Sequence, residues 1–436
     1  MLACGHEAAA FGSPVCTHLR SSREGYVGYL ICYTGRGLST EFLCPACVEA
    51  RERGEIAVAE PICEQCFLFA CDEVGDPIGV RGRPEIKRRD ERISAAVTSV
   101  SLPDAIGPVP RIAPIDGIAG AQWLVLTEDG ALSRFDAATG DTREIARLGI
   151  KAGRGSKLWS GNVLGHRLHV SHFGTFAAVV LDFGRWGQIV DLRTGAQTAI
   201  LDGGDYLSEQ VPFAFAFAEV NGRTVAVHRA SWNRLDLIDP ATGDVLSQRA
   251  SPTRDGDNSA HYLNYFHGTL RISPDSKFIV DDGWIWHPSG CPTSWSLERW
   301  VNENVWESES GPTRQSLCWR DYYWNGPMCW IDDTHVAIGG IGDDSERMIE
   351  GALLFDVSDF RSRRSKEYMT IAGPAGTFFS DGFSLFSADK TGLSRWSLSD
   401  GARTGHIAGF QPTQHHRGAG ELVELREREL VRWRIC

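Results

Sequence analysis

The chain has 436 residues, 42% hydrophobic and 23% charged, too long for one small domain and ordinary for a soluble globular protein. Its formal charge is −12, and neither half holds the basic excess that a phosphate backbone requires: residues 1–71 carry 8 Glu against 5 Arg, 72–93 balance, and the remaining −9 falls on 94–436. Nucleic acid is therefore not an expected partner. No run of about 18 apolar residues is present, which argues against a membrane-spanning helix and a membrane partner.

Residues 1–71 hold eight of the twelve cysteines. Cys44, Cys47, Cys63 and Cys66 form two Cys-x2-Cys pairs separated by 15 residues. Each pair can make a tight knuckle that offers two sulfurs to one metal, and four thiolates satisfy tetrahedral zinc with no open position. Between the pairs, residues 48–53 read as a short helix stopped by Gly54, and 56–61 as a strand feeding the second knuckle. Cys4, His6, Cys16 and His18 form two further chelating pairs, enough for a second Cys2His2 ion. Sequential and cross-braced pairing are both compatible with the spacing, as are disulfides or inert thiols. Cys32 and Cys71 are left over and read as small buried side chains. The N-terminus has neither a basic nor an apolar leader segment, so a cytoplasmic chain with reduced thiols is expected. With only six Lys, the cationic residues are nearly all Arg, the composition of a GC-rich and hence bacterial genome.

Residues 72–93 are charged and broken by Gly and Pro, as a linker would be, and the Lys87, Arg88, Arg89 cluster reads as part of that solvated segment. From residue 94 a repeat begins, and domains are expected at 1–71 and 94–436. Its mark is a strand ending in an apolar residue, then Asp, two variable residues, Thr and Gly. Phe135, Asp136, Thr139 and Gly140 carry the first copy; Val190, Asp191, Thr194 and Gly195 the second; Ile238, Asp239, Thr242 and Gly243 the third. Degenerate copies follow at Asp356 and at Ser397 to Gly401. Asp accepts hydrogen bonds from the turn backbone, and Gly supplies the positive-φ position before the next strand. The interval from Asp239 to Asp356 spans about two such units, placing a cryptic one near residues 296–300. Seven blades of four short strands are expected, with six as the alternative. The chain ends on what reads as a third strand, so residues 95–102 are expected to complete the last blade and close the ring.

These Asp-x-x-Thr-Gly turns resemble those of the WD40-like and quinoprotein-like β-propellers, and the Cys/His module resembles a zinc ribbon or treble clef. The resemblance implies an all-β propeller over residues 94–436 behind a small N-terminal zinc-binding domain.

The functional signals are sparse. His166, His169 and His172 recur every third residue in a strand context, where His166 and His172 would share a face and His169 would point away. His415 and His416 read as a solvated loop, and Asp281, Asp282 and Asp332, Asp333 as hairpin turns. Residues 302–330 are rich in aromatics: Trp306, Trp319, Tyr322, Tyr323, Trp324 and Trp330. They could serve as a recognition face or as blade core. The leading expectation is a non-enzymatic protein-interaction module, in which the propeller and a structural zinc domain dock a protein or peptide. The alternative is a propeller enzyme, a lyase or hydrolase of a small molecule, with a channel-mouth metal drawn from His166, His261, His267 and Asp281.

Overall fold

The computed structural model describes residues 10–16, 30–34, 37–41, 45–53, 59–63, 79–81, 84–89, 93–94, 96–109, 111–150, 155–256, 258–361 and 365–435. The chain falls into two compact units, residues 1–85 with 341–343 and residues 86–340 with 344–436. Among the described residues no helix is long and apolar enough to cross a membrane.

In the first unit, Ala10–Cys16 pairs antiparallel with Ala59–Cys63, setting Cys16 opposite Ala59 and Ala10 opposite Cys63. Leu30–Thr34 pairs antiparallel with Gly37–Glu41 and parallel with Gly79–Arg81. The helix is Pro45–Glu52. Proline suits its first position, where an N–H would have no helical partner anyway. Glu49 and Arg53, one turn apart, form an exposed ion pair at 4.0 Å. The expected short helix is present at Pro45–Glu52, three residues earlier than its expected start, and the expected strand falls at Ala59–Cys63, running into the second Cys pair.

The second unit is all-β, arranged as seven successive sheets around a centre, while the chain as a whole is only 7% helical. The blades run over residues 111–147, 165–202, 215–238, 266–321, 328–372, 377–408 and 414–434. Inside a regular blade the strands lie in chain order from the centre outward, each antiparallel to the last. The expected ring closure is found: Val97–Ser101 is the outer strand of blade 7, antiparallel to Glu429–Arg434, with Val100 opposite Leu430 and Val97 opposite Trp433. Residues ahead of it extend the clasp onto blade 6, where Arg89 N–H donates to the Arg403 carbonyl and Arg403 N–H to that of Lys87. The Lys87 ammonium reaches the Asp400 carbonyl at 3.1 Å, and Arg89 pairs with the Asp400 carboxylate. Lys87 and Arg89 of the basic cluster therefore lie along a sheet edge.

The repeated motif is the hairpin between third and fourth strands. The Asp136 carboxylate accepts the Ala138 N–H at 2.8 Å, and Gly140, at φ +80°, donates back to the Asp136 carbonyl. Asp191 with Gly195 and Asp239 with Gly243 repeat this geometry, the glycines at φ +75° and +78°. Blade 3 lacks a full fourth strand and keeps only a bridge from Ile238 to Val245. Blade 4 is the cryptic one. Its strand Thr293–Ser296 ends in a Ser296 hydroxyl that caps the helix Leu297–Asn302, and a second short helix, Glu307–Ser310, follows. The helices occupy the place of the Asp–Gly turn, which is why the repeat is unreadable there.

The core lies between blades. Leu124, Leu126 and Leu132 of blade 1 meet Ala177, Val179 and Val190 of blade 2, and Val225, Val227 and Leu235 of blade 3 meet Trp295, Leu297 and Trp300 of blade 4. Burying each larger aliphatic side chain contributes about 1.5–3 kcal/mol, so the ring is stabilised mainly by these inter-blade seams.

Candidate functional site

Two concave features stand out: the central channel and an aromatic cleft on one face. In an antiparallel blade, the turn between second and third strands and the connection to the next blade lie at the same end. Tyr206 (connection from blade 2 to 3), Trp232 (middle turn of blade 3), Trp286 (middle turn of blade 4) and Trp324 (connection to blade 5) therefore share one face. Their rings form a continuous stack. Phe266 lies flat on Trp284 at 4.2 Å and against Trp232 at 4.5 Å, and Trp284 stacks on Trp324 at 5.1 Å. Tyr206 stacks on Phe266 at 5.9 Å, and Trp286 meets Trp284 edge-on at 5.3 Å.

Phe266 and Trp284 are buried, whereas Tyr206 and Trp286 are 52% and 44% exposed, so the stack has a dry base and an open rim. Offset and edge-on pairs of this kind contribute about 0.5–1.5 kcal/mol each beyond burial. The Trp324 indole N–H is fixed by the Gln210 carbonyl at 3.1 Å. The open rim is a cleft of about 470 Å³ lined by Tyr206, Trp232, Arg254, Tyr262, Asn264, Trp286 and His287. Arg254 is exposed and has no hydrogen-bond or ion-pair partner among the described residues. His287 is held at φ 123°, a conformation that costs an L-residue roughly 1–3 kcal/mol and is found most often where a surface has a task.

The aromatic run 302–330 is partly buried and partly exposed. Trp330 is core, its indole N–H donating to the Arg271 carbonyl at 3.0 Å. Trp306 stacks on His261 at 4.2 Å, and Tyr323 lies under the Arg320 guanidinium. Trp324 joins the cleft stack, while Trp319 and Tyr322 are exposed.

The channel, of about 850 Å³, is lined by the first strand of every blade. Arg167 and His169 enter it from blade 2, Arg271 from blade 4, Cys329 from blade 5, and His415 and Arg417 from blade 7. The Arg167 guanidinium is paired with the Asp182 carboxylate at 2.7 Å. Arg271 is exposed in the channel; desolvation by the surrounding walls first, then the nearby Arg167 and Arg417, pull its pKa down to about 10. Burial with Arg417 pulls His415 down to about 4, and burial with Arg167 and Arg271 holds His169 well below the usual range. Both imidazoles are therefore neutral near pH 7. Burial pushes the Cys329 thiol up to about 12, with Arg417 and Arg271 opposing.

Several sequence expectations need correction. Strand Gly165–Val170 ends before His172, so the alternation breaks; His169 and His172 line the channel, and His166 does not. His415 and His416 are not a solvated loop but lie on the first strand of blade 7, with His416 fully buried against Asp116 at 3.1 Å and the Gln122 carbonyl at 3.1 Å. Asp281 and Asp282 are not a turn; both are buried within strand Phe278–Ile285. Asp332 does head a turn, accepting the Thr334 N–H at 2.9 Å.

His267 and Asp281 are brought together at 2.6 Å, but both side chains are fully buried, so this pair is closed to any substrate. His261 hydrogen-bonds Ser310 at 2.6 Å. Among the described residues, no three His, Cys, Asp or Glu side chains converge as a metal cluster.

Of the expected zinc ligands, Cys4, His6, His18, Cys44 and Cys66 lie outside the described residues. Cys16 and Cys63 end the paired strands Ala10–Cys16 and Ala59–Cys63, and Cys47 is buried in the first turn of helix Pro45–Glu52. Sequence reasoning missed the three channel arginines and the Tyr206–Trp286 rim. The arginines come from three different blades, two on first strands and Arg417 just past the end of one, and the rim comes from several sequence-distant turns, so neither makes a local motif. The chain matches no known protein family, and no curated protein matches its sequence.

Proposed function

We propose that the protein is a non-enzymatic interaction module that captures a peptide segment of a partner protein in the aromatic cleft between blades 3 and 4. The supporting observation is the half-exposed Tyr206–Trp286 rim over a buried aromatic stack. Rigid aromatic rings bury large area at low entropic cost, and they dominate binding energy where they are pre-positioned. Unpartnered Arg254 at the same cleft favours a segment that pairs an apolar or aromatic side chain with a carboxylate. The proposal includes a WD40-like or quinoprotein-like propeller, a bacterial and cytoplasmic setting, and an N-terminal module held by structural zinc. That module would use Cys44, Cys47, Cys63 and Cys66, with Cys4, His6, Cys16 and His18 as a second set. Neither nucleic acid nor membrane is part of it.

The test compares partners co-purified with the wild type and with Tyr206→Ala and Trp286→Ala. A true partner should be lost from both variants, and its purified complex should weaken by about 2 kcal/mol or more per substitution, as aromatic hot spots do. Identical partner sets and affinities across all three proteins would refute the cleft.

A further inference from the structure

We propose that the central channel is a binding site for a small molecule bearing carboxylate or phosphate oxyanions, anchored by Arg271 and Arg417 with Arg167 beside them. This inference is separate from the peptide cleft and does not depend on it.

The argument starts from charge accounting. Three guanidinium groups from blades 2, 4 and 7 face one cavity of about 850 Å³. They lie close enough that Arg167 and Arg417 both disfavour the charge on Arg271. Arg167 has Asp182 as its counter-ion. Neither Arg271 nor Arg417 has a side-chain hydrogen bond or ion pair among the described residues. The carboxylates that line the channel form no ion pair with Arg271 or Arg417. Asp116 holds His416 and the Gly418 N–H, Glu219 accepts the Thr224 hydroxyl at 2.8 Å, and Asp275 pairs with Lys277 at 3.1 Å.

Neighbouring cations without ion-pair partners carry a repulsive penalty. An anion that bridges them would offset that penalty. Guanidinium groups match carboxylate and phosphate oxygens with paired N–H donors. His169 and His415, both neutral, line the same channel without adding charge to it. The cavity has the size of ordinary small-molecule pockets.

The test is isothermal titration of the full chain with inorganic phosphate and with citrate, against chloride at matched ionic strength. Wild type and Arg361→Gln, a surface control whose side chain is 90% exposed, should bind at least one probe equally. Arg271→Gln and Arg417→Gln should each weaken binding by about tenfold or more, as expected for loss of a charged hydrogen-bonding group. Arg271→Lys should recover part of that loss. Tighter binding of citrate assigns a polycarboxylate, and tighter binding of phosphate a phosphorylated ligand. Should Arg271→Gln fail to fold, Arg417→Gln decides, because Arg417 is exposed beyond the strand end. The proposal is overturned if wild type binds neither probe, or if folded Arg417→Gln binds as wild type does.

Discussion

Asp282 is a carboxyl group with no room for its charge. Burial pushes its pKa up to about 7, with Asp281 adding to the shift and Arg320 opposing it, and its Oδ2 has no hydrogen-bond partner. The native state therefore binds a proton that the unfolded chain, near its ordinary carboxylate pKa, releases earlier. Stability from this residue is fully present at low pH, falls as pH rises from about 4 through about 7, and is level above that. Asp282→Asn keeps the shape without the charge. It is expected to flatten the decline over that window and to exceed wild-type stability above pH 7, as read from urea midpoints at a series of pH values. Arg249 presents the opposite case. Its buried guanidinium is held by Glu309 and by Asp236 at 3.0 Å, with side-chain exposures of only 1% for Arg249 and 3% for Glu309. Glu309→Ala strips one of two counter-ions from a charge that cannot reach water. A loss of about 3–5 kcal/mol is expected in equilibrium unfolding, and a loss under about 1 kcal/mol, the surface-pair range, would contradict the buried pairing.

At the scale of elements, the ring depends on a strand contributed from outside the repeat. Val97–Ser101 gives blade 7 its fourth strand, and Val97 and Val100 pack against the cores that contain Trp433 and Leu430. Removing residues 1–102 would expose the edge of Glu429–Arg434 and open both seams, whereas removing residues 1–85 leaves the strand in place. The longer truncation is expected to aggregate or to lose cooperative melting; the shorter is expected to melt cooperatively. Equal melting of the two by calorimetry would mean the clasp is dispensable. That closing strand was legible in the sequence because the last repeat is one strand short. The Asp–Gly hairpins were legible because their chemistry is contained within five residues. Blade 4 was not, since helices Leu297–Asn302 and Glu307–Ser310 replace its turn. His416 and Asp281 were misread for a related reason. Their partners, Gln122 and His267, are supplied by other strands, and local sequence shows only a polar residue beside glycine.

For the whole molecule, the two units differ in how they can be stabilised. The propeller unit buries continuous apolar seams between blades. The described part of residues 1–85 consists of a two-stranded sheet, a three-stranded sheet and one helix of eight residues. The paired cysteines, one of them buried in the first turn of that helix, favour metal in a reducing compartment. Elemental mass spectrometry of untagged protein is then expected to find about two zinc ions per intact chain and none on residues 86–436, since each proposed site would take its four ligands from the first 66 residues. About one ion would restrict the site to Cys44, Cys47, Cys63 and Cys66 and remove Cys4, His6, Cys16 and His18 from the ligand set. None would make the cysteines inert thiols or disulfides, which a thiol titration of the denatured chain would tell apart. Metal retained by residues 86–436 would mean that the propeller itself holds an ion, and would revive a channel-mouth enzyme over a docking module.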